Sequence, residues 1–523
     1  MRITNQMMVN STMSNIQINK NQLNTMDTQL STQKKINKPS EDPIIAIRAL
    51  RLRTSLDQVT QYLDKNIPDA ASWLDTTEGA MDEAYNIITA LNTYCTQGAT
   101  DSYSSAERNT IAASLEKLKA AFYAEGDVEY AGRYCFTGYM TDTPLNYQSN
   151  EDAKDADYII TQKFTRDDLD TKTAYKNFYE TDDILNLKYE TDANGNLVTP
   201  SAKDVHRIRL GYKDLDASIL NKTKDAHGTV TSTKQDFKIK YTDKDGKTQE
   251  MAVTCIDDIT KNSKKLTVKQ QDNYIPENGA VFNPTTGEIL LSDAAYETLY
   301  SAKDFSFTYE KSNFTKGDQN PVMYFDCVNN NINDYYYNVK YEKKNEDIEY
   351  NVNFSQKLKV NTEASDAYNI NLGRDIDDLV TSVNNVLDIE NQIAKVESMM
   401  QETRYSDETS QKKLTAMKEG LTKQKELAED KMTAAFEHGI SCFKGYQQEI
   451  SLAKADVGNR RTRLNLTKSR LTEQKTNFSN LKSQNEDIDL EEVVVGYSAA
   501  QLVYNASLSA ASKVVQQTLL DFL

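Results

Sequence analysis

Histidines are the scarcest chemistry-bearing residues in this 523-residue chain: His206, His227 and His438. None lies in H-E-x-x-H spacing or beside a second plausible ligand, so no zinc site follows and each reads as a solvated or packed side chain. Five cysteines, Cys95, Cys135, Cys255, Cys327 and Cys442, are far apart, odd in number and without a C-x-x-C pair. That spacing supports neither a disulfide framework nor a metal site, and they read as small buried apolar residues. Asp167-Asp168 and Asp257-Asp258 could imitate paired catalytic carboxylates, but neighbours on a strand point to opposite faces. Asp192-x-Asn194-x-Asn196 and Asp243-x-Asp245 open like a calcium loop, yet neither has the glycine and glutamate that complete one. The residues therefore give no catalytic site, no cofactor and no metal, and the chain reads as non-enzymatic. Two alternatives remain for its middle: an enzyme carried on loops, and a glycan-binding surface built on the 19 tyrosines between Tyr139 and Tyr368.

The elements that would position any site divide the chain in three. No Gly occurs before Gly79 and no Pro after Pro321, so long helices can run at both ends. Val9, Ile16, Leu23 and Leu30 recur every seven residues, with Met13 and Met26 beside them, and form an apolar seam that needs a partner. Pro39 and Pro43 end that helix, and Asp42 can cap a new one with Pro43 at its first position. Leu56, Leu63, Ala70, Thr77, Ala84 and Leu91 again step by seven, with Val59, Trp73 and Ile87 in the same stripe. Pro68 interrupts this run and predicts a kink or short break near Ile67. Ser104 and Glu107 form a capping box ahead of Ile111, Leu115, Leu118 and Phe122.

The middle changes period. Phe237, Ile239 and Tyr241 alternate with polar residues, and a turn at Asp245-Gly246 leads to alternating Met251, Val253 and Cys255, a hairpin pattern. Asn194-Gly195, Thr286-Gly287 and the Phe305, Phe307, Tyr309 alternation repeat it, predicting mostly antiparallel sheet with a helix near Asp293 to Leu299. Helix returns after Gly373 with Ile376, Leu379, Val383 and Leu387. The final stretch carries Val457, Leu464, Leu471 and Phe478 at sevens, then Leu481 and Ile488, then Val495, Leu502, Ala506, Ala510 and Val514. The fold class is mainly α, with long coiled-coil ends and an inserted β-rich central domain.

Charge and hydropathy limit the partners. A formal net charge of −17 repels phosphate backbones and anionic lipid alike, which argues against nucleic acid. No stretch approaches the roughly 20 apolar residues that span a bilayer, so membrane insertion is not expected, and Met1 to Ile36 is too polar for a signal-peptide core.

Leu30-Ser31-Thr32 and the run Lys35-Ile36-Asn37-Lys38-Pro39-Ser40-Glu41-Asp42-Pro43 resemble a signature of the flagellin superfamily. Ala49-Leu50-Arg51-Leu52-Arg53, Trp73-Leu74-Asp75-Thr76-Thr77-Glu78-Gly79-Ala80 and Asp456-Val457-Gly458-Asn459-Arg460 through Leu464 are similar to its helical core. Gly132-Arg133-Tyr134-Cys135-Phe136-Thr137-Gly138 with Thr141-Asp142-Thr143-Pro144, and the ending Leu519-Leu520-Asp521-Phe522-Leu523, resemble its hook-associated protein 3 (hook–filament junction) branch. Flagellins instead tend to carry an Asn-Gly segment at the first site and an Arg-bearing tail. The resemblance covers roughly residues 1 to 145 and 373 to 523.

What the resemblance implies is a flagellin-like structural protein without a cleaved signal, secreted through the flagellar type III export channel with an export chaperone. It would be extracellular, at the hook–filament junction, and would assemble with itself in a ring of about eleven subunits between hook-associated protein 1 and flagellin. The alternative is a flagellin filament subunit. The expected division is a terminal coiled-coil domain (1–43 and 485–523), a helical core (44–145 and 373–484), and an outer β-rich insert (146–372) of one or two subdomains. Because the insert is compositionally separate, Leu145 to Leu372 is expected to be removable without abolishing filament attachment. The expected assembly interface is Val9, Ile16, Leu23, Leu30, Leu464, Leu471, Phe478, Leu502, Ala506, Val514, Leu520 and Phe522.

Overall fold

Asp42 accepts hydrogen bonds from the backbone N–H of Ile44 (2.9 Å) and Ile45 (3.1 Å), with Pro43 opening the helix behind it. A carboxylate here satisfies two donors that a helix start leaves free, and Pro has no donor to lose. In this computed structural model the first helix, α1 (Asn5–Thr32), therefore stops before the linker, and α2 (Pro43–Gln61) begins after it. The structure describes residues 5–100, 104–188, 197–224, 230–261 and 264–520, with side chains of the last helix as far as residue 513. His227, the Asn194-Gly195 turn and the Asp192 to Asn196 segment lie outside these residues.

Pro68 does not break the helix. Tyr62–Asn66 winds as a π-helical turn, Ile67 N–H bonds to Tyr62 O, and α3 (Ile67–Gly98) continues directly. A wider turn shifts the bonding by one residue, so the missing N–H of Pro68 is absorbed without an interruption. The strand Glu349–Asn353, paired to Gln356–Lys359, packs on this turn. There Asn66 donates to Asn351 O at 2.7 Å and the Tyr62 and Phe354 rings meet edge to face at 5.7 Å.

Helix α4 (Ser105–Ala124) starts at the Ser104–Glu107 capping box, and the C-terminal half supplies α5 (Ile370–Gln401), α6 (Glu408–Glu486) and α7 (Leu490–Leu520). By contacts the chain forms two units: residues 1–71, 349–358 and 460–523, and residues 72–348 with 359–459.

The second unit contains a ten-stranded sheet. Its strands are β1 (Tyr158–Phe164), β2 (Leu169–Lys176), β3 (Ser201–Arg209), β4 (Lys238–Thr242), β5 (Thr248–Cys255), β6 (Ala280–Asn283), β7 (Glu288–Leu291), β8 (Asp304–Lys311), β9 (Asp326–Asn329) and β10 (Lys340–Tyr341). They run in the order β10-β9-β1-β8-β4-β5-β6-β7-β3-β2. The β4–β5 hairpin forms where alternation places it, with Gly246 at φ 78°. The β6–β7 turn needs Gly287, since at φ 64° a Cβ would lie 1.9 Å from Tyr212 O. One pair departs from the antiparallel expectation: β5 and β6 are parallel. Phe164, Phe237, Phe282, Phe305 and Phe307 fill the sheet's core, and the predicted helix appears as Asp293–Tyr300.

The insert is bound to the helices of its own unit by buried charge. Arg207 pairs with Asp378 at 2.8 Å and also with Asp170 and Glu288, Arg209 pairs with Asp375 at 2.5 Å, and Arg374 donates to Leu210 O at 3.1 Å. These pairs tie the insert to α5, so its removal has a cost in stability. Compositional separateness says nothing of charges shared across the boundary, and taking away Arg207 and Arg209 strands two carboxylates of α5.

Candidate assembly interface

Helices α1 and α7 lie side by side in the first unit. Val9, Ile16, Leu23 and Leu30 are each half-buried on one stripe of α1, as their sevenfold spacing predicts, with Thr12, Asn19 and Met26 between them. Facing them, α7 half-buries Val493, Tyr497, Ala500, Tyr504, Ser507 and Ala511. Asn19 Nδ2 donates to Ser507 Oγ at 2.6 Å, and Gly496 sits against the Met26 side chain. A polar pair within an apolar seam penalises other registers, because a slip would leave the amide unpaired.

The larger apolar residues of α7 are elsewhere. Val495 is 70% exposed and Leu502 72% exposed, with Ala506 and Ala510 exposed on the same stripe. Sequence reasoning chose this stripe as the seam and missed the pairing face, whose small and tyrosine side chains give only a weak heptad signal. Of the other expected residues, Leu464 (1% exposed) and Leu471 (0%) are core of their own unit, where Val59, Ile67 and Ala70 are also buried. Phe478 is half-buried. Phe522 and the side chains of Val514 and Leu520 lie outside the described residues.

The two arms are joined at the Lys35 to Pro43 linker. Arg53 grips Glu486 with Nε and a terminal nitrogen at 2.8 and 2.6 Å, Lys34 pairs with Asp487 at 2.5 Å, and Lys35 N–H donates to Glu486 O at 2.7 Å. The hydrogen bond from Arg53 holds the Glu486 carboxyl below its ordinary range. Ile488 N–H closes the junction on Gln33 O at 3.2 Å.

The Gly132 to Pro144 block lies in the second unit. Ala131 and Gly132 turn at φ 51° and 72° between two short paired strands, the conformation of a tight hairpin. Arg133 lies 4.8 Å over the Trp73 ring, and Cys135 and Phe136 are buried. Tyr139 N–H donates to Glu346 at 2.6 Å.

The remaining chemistry-bearing residues have structural partners. Asp243 accepts from the N–H of Asp245 (3.0 Å) and Lys247 (2.9 Å), Asp168 from Thr165, and Asp257 from Gln271. His206 stacks on Tyr296 at 3.7 Å. Cys442 Sγ is 3.5 Å from His438 Nδ1, but burial and the Asp375 carboxylate push the thiol up to about 12, so this pair holds no thiolate at neutral pH. All five cysteines are free thiols, and no group of three metal-ligating residues occurs among the described residues. No described helix is long and apolar enough to cross a membrane.

A paired terminal coil whose two strands come from opposite ends of the chain is now matched by family models. The bacterial flagellin N-terminal helical region matches residues 3–141, and the bacterial flagellin C-terminal helical region matches residues 444–523. The two ends of the chain are thus similar to the helical regions of bacterial flagellin. A flagellin of Clostridium tyrobutyricum is 25% identical over 118 residues, which are 23% of this chain and 31% of that protein. The chain thus spans about a third of the curated relative it matches. Among solved structures, a Vibrio parahaemolyticus chain assigned as a flagellar hook-associated protein has a TM-score of 0.34 at 10% identity, over 86% of this chain and 100% of that one. The flagellar hook-associated protein-3 of Legionella pneumophila has 0.29 at 10% identity, over 83% and 97%.

Proposed function

We propose that this chain is a member of the flagellin superfamily and a non-catalytic structural subunit of the bacterial flagellum. It acts at the hook–filament junction, joining hook-associated protein 1 to flagellin in a ring of about eleven copies. It reaches that place by type III export with an export chaperone. The observation that carries the reading is the half-covered terminal pair: α1 and α7 pair through one face, and α7 keeps the Val495, Leu502 and Ala506 stripe exposed. Apolar side chains in a row at helical spacing are stabilised when another helix covers them, which here means a neighbouring subunit. The Gly132 to Pro144 block and the Asp521-Phe522-Leu523 end favour the junction over the filament body, on the resemblance of those residues. The division into terminal coil, helical core and outer insert belongs to the same proposal.

Deletion of the gene, with electron microscopy of the cells and immunoblotting of the medium, tests it. The junction role predicts hooks without filaments and flagellin shed into the medium. Filaments still attached would contradict it, and loss of filaments with no flagellin in the medium would favour the filament-subunit reading.

A further inference from the structure

The strands Ile219–Lys224 and Val230–Gln235 pair only with each other among the described strands. What fixes them to the body is a buried polar cluster that terminal pairing does not use. Glu310, on β8 and 2% exposed, accepts from Leu220 N–H at 2.5 Å and from Asn330 Nδ2 at 2.9 Å, and lies 3.5 Å from Lys222 Nζ. Lys222 also pairs with Oδ2 of Asp157, the residue just before β1. Asp157 is 8% exposed, and its Oδ1 has no hydrogen-bond partner among the described residues.

An amine, a carboxyl with one idle oxygen and a second buried carboxyl are thus held together in one small site. We infer that Lys222, Asp157 and Glu310 form a self-acting cross-linking site, in which the Lys222 amine and the Asp157 carboxyl condense to an intramolecular amide. The ion pair is the resting state: burial pulls the Lys222 amine down, but the two carboxylates outweigh it and hold it raised. The reaction runs through the minor form in which a proton has passed from the amine to the carboxyl, leaving a neutral amine. The nitrogen lone pair then attacks Cγ of Asp157. Glu310 takes the proton from nitrogen and passes it to the departing hydroxyl. A C–N bond forms, a C–O bond breaks, one water leaves, and no oxidant or co-reactant is consumed.

Glu310 suits the relay. Burial first, with Asp157 and Asp216 adding to it against the Leu220 N–H and Lys222, pushes its carboxyl up to about 6, so it can hold or release a proton near neutral pH. Fixing the groups in contact removes the encounter part of the barrier to amide formation, and the proton relay addresses the poor leaving group. Lys172, buried between two carboxylates, lacks this device. Lys172 pairs with Asp272 and Glu288 at 2.7 Å each, but Arg207 and Lys172 hold the Glu288 carboxyl in its ionised form. The bond would close a loop between residues 65 apart in sequence and fasten the isolated strand pair to the sheet.

Intact-mass spectrometry of the full-length purified chain tests this, with a protease map of the same sample. Expected is a mass lower than the sequence by one water, and a branched peptide joining the Asp157 and Lys222 segments. Lys222→Arg and Glu310→Gln, each checked for native circular dichroism, should return to the full sequence mass. A wild-type mass equal to the sequence would leave an ion pair only and overturn the proposal. So would water loss confined to a single unbranched peptide, or a branch that persists in Lys222→Arg.

Discussion

Arg53 and Glu486 lie 433 residues apart in sequence and meet through two parallel hydrogen bonds of 2.8 and 2.6 Å, joining the middle of α2 to the end of α6. Arg can make this two-point contact and Lys cannot. Arg53→Lys should therefore loosen the junction. Hydrogen exchange at the Lys35 amide, which bonds to Glu486 O, should speed up by a factor corresponding to about 1–2 kcal/mol. Unchanged protection there would show that the pair does not hold the arms.

Gln33, at the end of α1, sits at φ 57°, a left-handed conformation that costs a residue with a Cβ. Gln33→Gly should relieve that strain and stabilise the terminal pair by about 1 kcal/mol. Thermal unfolding followed by exchange at α1 reads the effect, and a destabilised variant would contradict it.

The charge cluster binding the insert gives a pH dependence. Burial alone would raise the Glu288 carboxyl, but Lys172 and Arg207 outweigh it and push it down to about 2, and Arg207, Arg209 and Arg374 hold Asp378 low in the same way. A carboxyl whose folded pKa is depressed contributes stability above its unfolded pKa and loses it as pH falls through the folded one. Thermal stability should be level at neutral pH and drop as pH falls from about 4.5 toward about 2. Arg207→Met, which leaves buried carboxylates short of a cation, should cost about 3–5 kcal/mol at neutral pH.

Deletion of residues 146–372 should, for the same reason, destabilise the helices left behind, because Asp375 loses Arg209 and Asp378 loses both Arg207 and Arg209. Asp375→Asn with Asp378→Leu in the deletion background should recover part of the loss in Tm. A deletion as stable as the intact chain would contradict this.

The α1 seam and the linker cap were legible because each rests on residues whose physics is local: a sevenfold apolar row, and Asp before Pro. The face of α7 was not. Two stripes on that helix satisfy the same period, and the eye goes to Val495 and Leu502, whereas pairing uses Tyr497, Ala500, Tyr504 and Ser507. Period fixes the spacing of a stripe and leaves its partner open. Pro68 announced a missing donor, but whether the backbone breaks or widens depends on what packs there, and Asn351 and Phe354 come from far along the chain. Strand alternation predicted β4, β5 and β8, while the parallel β5–β6 pairing is a matter of topology that alternation does not encode. Buried Arg207 and Glu288 read as ordinary surface charge until their partners are assembled around them.

Filament attachment in cells carrying Leu502→Asp is the most direct measurement. Leu502 is 72% exposed on α7, so the charge costs the isolated chain little, and circular dichroism and Tm should match the unaltered protein. Covered by a neighbouring subunit, the same carboxylate would be buried unpaired at every copy, at several kcal/mol each by order of magnitude, or about 3 kcal/mol and more. The account predicts a stable, exported variant with bare hooks and flagellin in the medium. Normal filaments on hooks carrying this variant would show that the exposed stripe of α7 is not an assembly surface.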